Sequence, residues 1–216
     1  MKQILFTLCF AITTHFSMSQ SKLINYFNKL SKENKHGYVI TKKGENYTAD
    51  AGTGACVVTV DNTNGFLEFK DTGTGGGTFV FQMAIFKNAK KQDVLAVNVF
   101  AYEDLQQGMI EGGNIRFFSV GKQLIDVTKD ILPDMTTVED KAYNGQTDAI
   151  IEQYKEGLYE YFELPRIGTT VTFHFGSNSL NQACANHDEQ ACNIKKSLLV
   201  VELIWHKDTG YLSLKK

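Results

Sequence analysis

An α+β fold follows from three observations on the sequence. Segments with apolar residues at every second position recur between residues 38 and 128 and again from residue 169 onward, separated by short polar turns. Turns of that length join antiparallel strands, because a parallel crossover needs about a dozen residues or more. Two other segments, residues 21–32 and 147–162, instead carry apolar residues at helical spacing. The expected architecture is a mainly antiparallel β-sheet or sandwich, with an N-terminal helix and one longer internal amphipathic helix.

The N-terminal helix is "SKLINYFNKLSK", with Leu23, Ile24, Phe27 and Leu30 on one face and Ser21 in position to cap it. Strands follow in "YVITKK", "ACVVTVD" and "GFLEFK", the last two joined by "DNTNG", whose Asn and Gly tolerate positive φ. "TFVFQMAIFK" and "VLAVNVFAYE" come next. Both are apolar on both faces, apart from Gln82 and Asn98, so they belong at the centre of the sheet with the second face covered by a helix or another sheet. Residues 114–128 supply one or two further strands. Pro133 closes the β-rich region, and residues 134–146 form a weak subdivision of the domain. In the internal helix, Ile150, Ile151, Tyr154, Leu158, Tyr161 and Phe162 make an apolar stripe that Pro165 stops. "TTVTFHFG" is again a strand, and the chain ends in a hairpin turning at Asp208, Thr209 and Gly210.

Ahead of this domain, residues 1–19 have the layout of a secretory signal peptide: Lys2, an apolar run from Ile4 to Ile12 broken by Thr7, then Ser17 and Ser19 where a signal peptidase reads small residues. The run is shorter than the roughly 20 residues that span a bilayer. Cleavage after Ser19 leaves a single α+β domain over residues 20–216, secreted or periplasmic. Every later apolar stretch is strand-length, so no integral membrane segment is expected after cleavage. An oxidising compartment permits disulfides. Cys184 and Cys192 bracket the polar loop "CANHDEQAC" and form the natural pair, whereas Cys56 alternates with Val58 and Val60 as a buried free thiol.

The net charge is −2, with both signs interspersed and no basic run of five or six residues. That excludes a nucleic-acid footprint and a polybasic membrane patch. In "DTGTGGGTF" four glycines precede a strand, but no Lys follows them and position 78 is Thr. The stretch therefore matches neither a P-loop nor a dinucleotide fingerprint, and reads as a hairpin loop or bulge. G-x-S-x-G and H-E-x-x-H are absent, and no cofactor is implied. Cys184, His187 and Cys192 would suit a metal only in a reducing compartment, and "ANHDEQ" lacks the spacing of a calcium loop. His174 and His206 fall on strands, opposite the main apolar set. As neighbours across an antiparallel pair they would suit metal binding or acid–base work; otherwise they lie on a solvated face. Asp126 and Asp130 are carboxylate candidates whose ordinary roles are capping and turn formation.

What is left is a recognition surface. Tyr102, Tyr159, Tyr161, Trp205 and Tyr211 lie at strand ends or on the internal helix, His174, His187 and His206 add polar groups, and Arg166 stands at a sharp helix-to-strand junction. The expected function is an exported, soluble, non-enzymatic binding module for a protein or glycan in the cell envelope or outside the cell. The alternatives are a secreted or periplasmic hydrolase using carboxylate or histidine acid–base chemistry, and a structural subunit of an envelope assembly.

Overall fold

A computed structural model describes residues 22–52, 54–73, 77–104 and 108–215. The expected signal peptide and Ser21 cap lie outside these residues. Helix α1 (residues 22–29) leads into an eight-stranded antiparallel meander, sheet A, in chain order: β1 (Val39–Lys43), β2 (Asn46–Asp50), β3 (Ala55–Asp61), β4 (Phe66–Asp71), β5 (Thr78–Lys87), β6 (Asp93–Asp104), β7 (Gly108–Val120) and β8 (Leu124–Asp126). Three helices follow, α2 (Thr128–Ile131), α3 (Met135–Tyr143) and α4 (Thr147–Gln153). Sheet B is antiparallel with four strands: β9 (Leu158–Glu163), β10 (Thr170–Ser177), β11 (Val201–His206) and β12 (Tyr211–Leu214), ordered β12-β11-β10-β9. Helices α5 (Asn178–Ala185) and α6 (Glu189–Ser197) connect β10 to β11.

Sheet A is covered on both faces at its centre, as the sequence of β5 and β6 requires. On the first face Phe69, Phe81, Met83, Leu95 and Val97 bury against Leu23 and Phe27 of α1 and Leu30 just after it. Phe27 meets Phe81 edge-on at 5.4 Å, and Phe69 stacks on Phe81 at 4.9 Å. Asp93 pins the helix: Lys22 Nζ lies 2.6 Å from its Oδ2, the Tyr26 hydroxyl donates to the same oxygen at 2.6 Å, and Lys87 pairs with Oδ1. On the second face Ala84, Phe86, Ala96, Ile115 and Phe117 share one core with Phe162, Val171, Phe173, Leu203 and Trp205 of sheet B and with buried residues of α3, α5 and α6. Farther along, β1 to β3 leave this second face open, with Val57 73% exposed.

The one longer internal helix is corrected to a seven-residue helix, α4, followed by a turn and strand β9. The helix ends at Gln153, where Tyr154 leaves helical geometry; Gly157, at φ +67° and with Asn178 against it, turns the chain, and the Tyr159/Tyr161 alternation extends it beyond. Residues 134–146, expected as a weak connection, instead contain α3. Asp134 caps it through Thr136 N, and Val138 and Ala142 are fully buried. The polar loop between Cys184 and Cys192 is mostly helical, with Ser177 and Asp188 as N-caps of α5 and α6, and the disulfide joins the two helices across a Cα–Cα distance of 4.6 Å. Cys56 is a half-buried thiol that donates to the Ala49 carbonyl.

Candidate functional site

The unpaired edge of β9 is set against the second face of sheet A. An edge strand has backbone groups that need partners, and two buried amides of sheet A supply them. Asn98 Nδ2 donates to the Phe162 carbonyl at 2.6 Å, and Gln82 Oε1 accepts from Leu164 N at 3.0 Å. The amides also bond each other, Asn98 Nδ2 to Gln82 Oε1 at 3.2 Å, while Gln82 Nε2 donates to Glu68 at 2.9 Å. Gly113 of β7 permits the approach, because a Cβ there would lie 2.6 Å from Tyr161 Cα.

This junction makes a corner. Along β9, Phe162 enters the main core, so Tyr161 points to the opposite side, where it packs on Val80 and Phe100 of sheet A. Its register partner on β10 is His174, and their rings stack 4.5 Å apart and within 7° of parallel. The ladder continues from Tyr161 to Phe100 at 5.1 Å and from Phe100 to Tyr102 at 6.3 Å. Register shifts in the β6–β7 pairing between Val99 and Asp104 twist the strands beside it. Sheet A is therefore the floor of the corner and the outer face of sheet B its wall.

Charged groups rim the rings. His174 Nε2 lies 3.3 Å from Glu163 Oε2 and 3.3 Å from Thr172 Oγ1. The His174 hydrogen bond holds the Glu163 carboxyl below its ordinary value against the opposing effect of burial, and the charges of His174 and Lys70 add to the lowering. Burial, with the charge of Glu163 beside it, pushes the Tyr161 phenol up to about 12. Lys70 and Glu68 are 3.7 Å apart on the floor strand β4.

The residues proposed from sequence are divided by the fold. Tyr102 and His174 meet in the corner through Phe100 and Tyr161. Arg166, exposed in the β9–β10 connection, is tied by Nε to Asp61 Oδ2 at 3.1 Å; the helix end it was expected to mark is absent, because a strand precedes it. Trp205 is 5% exposed, packs on Phe86 at 5.2 Å and donates Nε1–H to the Lys87 carbonyl, so it belongs to the core and not to a surface. His206 is exposed beside Ser213 and Tyr211 on the far side of sheet B, and His187 occupies the α5–α6 turn at φ +66°. His174 and His206 are not cross-strand neighbours: β10 and β11 pair from Thr170↔Ile204 to Phe173↔Val201, which leaves the two histidines at opposite ends of the ladder. Among the described residues no three His, Cys, Asp or Glu side chains are grouped to hold a metal ion. The carboxylates Asp126 and Asp130 lie at the start of α2, where Asp126 accepts from Thr128 N.

Phe100, at the centre of the ladder, was not singled out as a site residue from sequence, whereas Tyr161 was named among the aromatics but on a helix. Tyr161 sits in the helical stripe that proved to be a strand, and Phe100 lies in an apolar run with nothing to mark it from core.

No protein-family model matches the chain, and no curated protein matches it. Among solved structures it is similar to a domain of an uncharacterized protein from Porphyromonas gingivalis W83, with a TM-score of 0.51 at 10% sequence identity, covering 92% of this chain and 97% of that chain. The likeness is one of fold: an α+β arrangement dominated by antiparallel sheet.

Proposed function

We propose that the protein is an exported, non-enzymatic binding module that holds a glycan in the corner between the two sheets. The observation that carries the reading is the ladder Tyr102–Phe100–Tyr161–His174, in which the buried Phe100 ring backs three partly exposed rings, interleaved with Glu163, Glu68, Lys70 and Thr172. Flat rings beside hydrogen-bonding groups match the alternating apolar faces and hydroxyls of sugars. A protein-docking core is depleted of charged residues, and this one is not. Export is supported by the signal-like N-terminal sequence and by the disulfide between α5 and α6, which an oxidising compartment would preserve. The histidine version of the hydrolase alternative loses its support, since His174 and His206 lie apart.

Electrophoresis through gels carrying a panel of soluble polysaccharides tests this reading. At least one polysaccharide should retard the protein, and Tyr102→Ala and His174→Ala should each weaken the retardation by about fivefold, the worth of one stacking contact of roughly 1 kcal/mol. Retardation by no polysaccharide, or equal retardation of both variants and the parent, would overturn it. Equal melting temperatures of the variants and the parent would show that the folds compared are the same.

A further inference from the structure

We propose that the cleft where β9 begins, beside Gly113 of β7, is a second binding site, for an organic cation carrying an ammonium or guanidinium group. The cleft holds about 310 Å³ and is lined by Gly113, Tyr143, Leu158, Tyr159, Glu160 and Phe175. Three of the six are aromatic. Tyr143 and Phe175 lie 4.3 Å apart with their planes at 55°, so the two rings do not stack flat on one another. Tyr159 is fixed by Asn181, whose Nδ2 donates to its hydroxyl oxygen at 2.9 Å, and its ring crosses Gly176 where any Cβ would collide with it. Glu160 is half-buried and has no hydrogen bond or ion pair among the described residues. No basic residue is among those lining the cleft.

Ring faces and a carboxylate share one preference. The π faces carry a negative quadrupole and attract cations, worth more where water is excluded, and the Glu160 carboxylate adds a full charge. An anion would be repelled. Burial and the nearby charge of Glu139 both push the Glu160 carboxyl above its ordinary value, while Glu139 is itself raised by burial and by Asp140 and Asp134. A bound cation would favour the ionised carboxylate, and no basic group among the described residues is paired with it. The volume lies at the low end for ligand pockets, which run from about 300 to 1,000 Å³. It suits one head group, either a small free amine or a lysine or arginine side chain presented by a peptide. The cleft adjoins the ladder, because Tyr159 packs beside Tyr161 with ring centroids 6.5 Å apart, but Glu160 projects to the other side of β9 and takes no part in the glycan reading.

The test is an NMR titration of the purified protein with n-butylammonium, n-butylguanidinium and the neutral alcohol n-pentanol, followed by the capped peptide Gly-Lys-Gly. Both cations should give saturable shifts at Tyr143, Tyr159 and Glu160, and pentanol should give none. Glu160→Gln should weaken cation binding by about tenfold or more while leaving polysaccharide retardation unchanged, which separates this site from the corner. Equal binding of pentanol, an unchanged affinity in Glu160→Gln, or no saturable shift would overturn the proposal. A peptide that binds at least about tenfold tighter than butylammonium assigns the cation to a basic peptide; equal affinities assign it to a free amine.

Discussion

Gly113→Ala should destabilise the protein strongly, where an ordinary glycine-to-alanine change in a strand does the reverse. Gly113 has no positive φ, so alanine fits its backbone and, with open space around it, would stabilise by roughly 0.5–1 kcal/mol. The added Cβ would instead stand 2.6 Å from Tyr161 Cα and 3.1 Å from Phe162 N. Carbon atoms rest about 3.5–4.0 Å apart, and the obstacle is backbone, which cannot rotate aside. Strand β9 must retreat by about 1 Å. That retreat stretches the Asn98–Phe162 and Gln82–Leu164 hydrogen bonds, now 2.6 and 3.0 Å, to or beyond their limit. Two buried hydrogen bonds at about 1–1.5 kcal/mol each, with an overpacking cost of about 1–3 kcal/mol, give a loss of roughly 3–6 kcal/mol. Urea unfolding read by the fluorescence of Trp205, the one tryptophan, buried between the sheets, measures it. With a slope near 2 kcal/mol/M the midpoint should fall by about 2 M at unchanged slope. An unchanged or higher midpoint would refute the close approach of β9 to β7 and, with it, the corner.

Asp93→Asn should loosen α1 and cost about 2 kcal/mol: the buried carboxylate holds one hydroxyl and two lysines, but the lysines are about half exposed and their share is screened. Burial opposes ionisation of Asp93, yet the bonds from Lys22, Lys87 and Tyr26 outweigh it and hold the carboxyl below its ordinary value. Its contribution is therefore complete above the ordinary carboxylate range and lost as pH falls through the lower folded value, so acid melts of the variant should lack this leg of the parent curve, and hydrogen exchange should show α1 opening first. Removing the disulfide by Cys184→Ser with Cys192→Ser should cost about 2.6 kcal/mol in a chain-entropy account, checked by melting with and without reductant; equal melts would show that α5 and α6 do not need the bond. Glu160→Gln should raise the melting temperature at pH 7 but not at pH 3.5. A carboxyl raised in the folded state makes the fold lose stability as pH climbs above the ordinary carboxylate range, and the amide removes that loss.

The sheet was legible where burial imposes a pattern. β5 and β6 are apolar on both faces and occupy the middle of sheet A with a layer on each side, while "DNTNG" marks a turn between paired neighbours; the glycine stretch falls partly outside the described residues. Strand β2 escaped because only Ala49 of its five residues is buried, so no alternation was there to find. The helix expected over residues 147–162 failed because Tyr154, Leu158, Tyr161 and Phe162 satisfy a helical stripe as well as a bent strand, and Gly157 alone marks the break. Helices α3, α5 and α6 announced themselves only through the caps Asp134, Ser177 and Asp188, because two or three buried residues per helix give little periodic signal. Of the candidate site, Tyr102 and His174 were named in advance but not their meeting, which depends on how the edge of one sheet stands on the face of another.

That junction explains two residues that fit neither a core nor a surface pattern. Gln82 and Asn98 are buried amides in the most apolar strands of the chain, where Leu would pack without any hydrogen-bonding demand. Burying an amide costs free energy unless it is bonded; Asn98 Nδ2 bonds the Phe162 carbonyl of β9 and Gln82 Oε1 the N–H of Leu164 just after it, while Asn98 Oδ1 has no partner among the described residues. Their role is therefore to give an unpaired edge a defined seat on a sheet face, a contact that apolar packing alone would leave free to slide. Once β9 is seated, its period of two does the rest: Tyr159 and Tyr161 are sent to the aromatic side and Glu160 to the other, where it lines the cleft that Tyr159 also borders. A single fixed strand thus aims both candidate sites. Asn98→Leu and Gln82→Leu, even where they preserve the fold, remove the contacts that hold that aim.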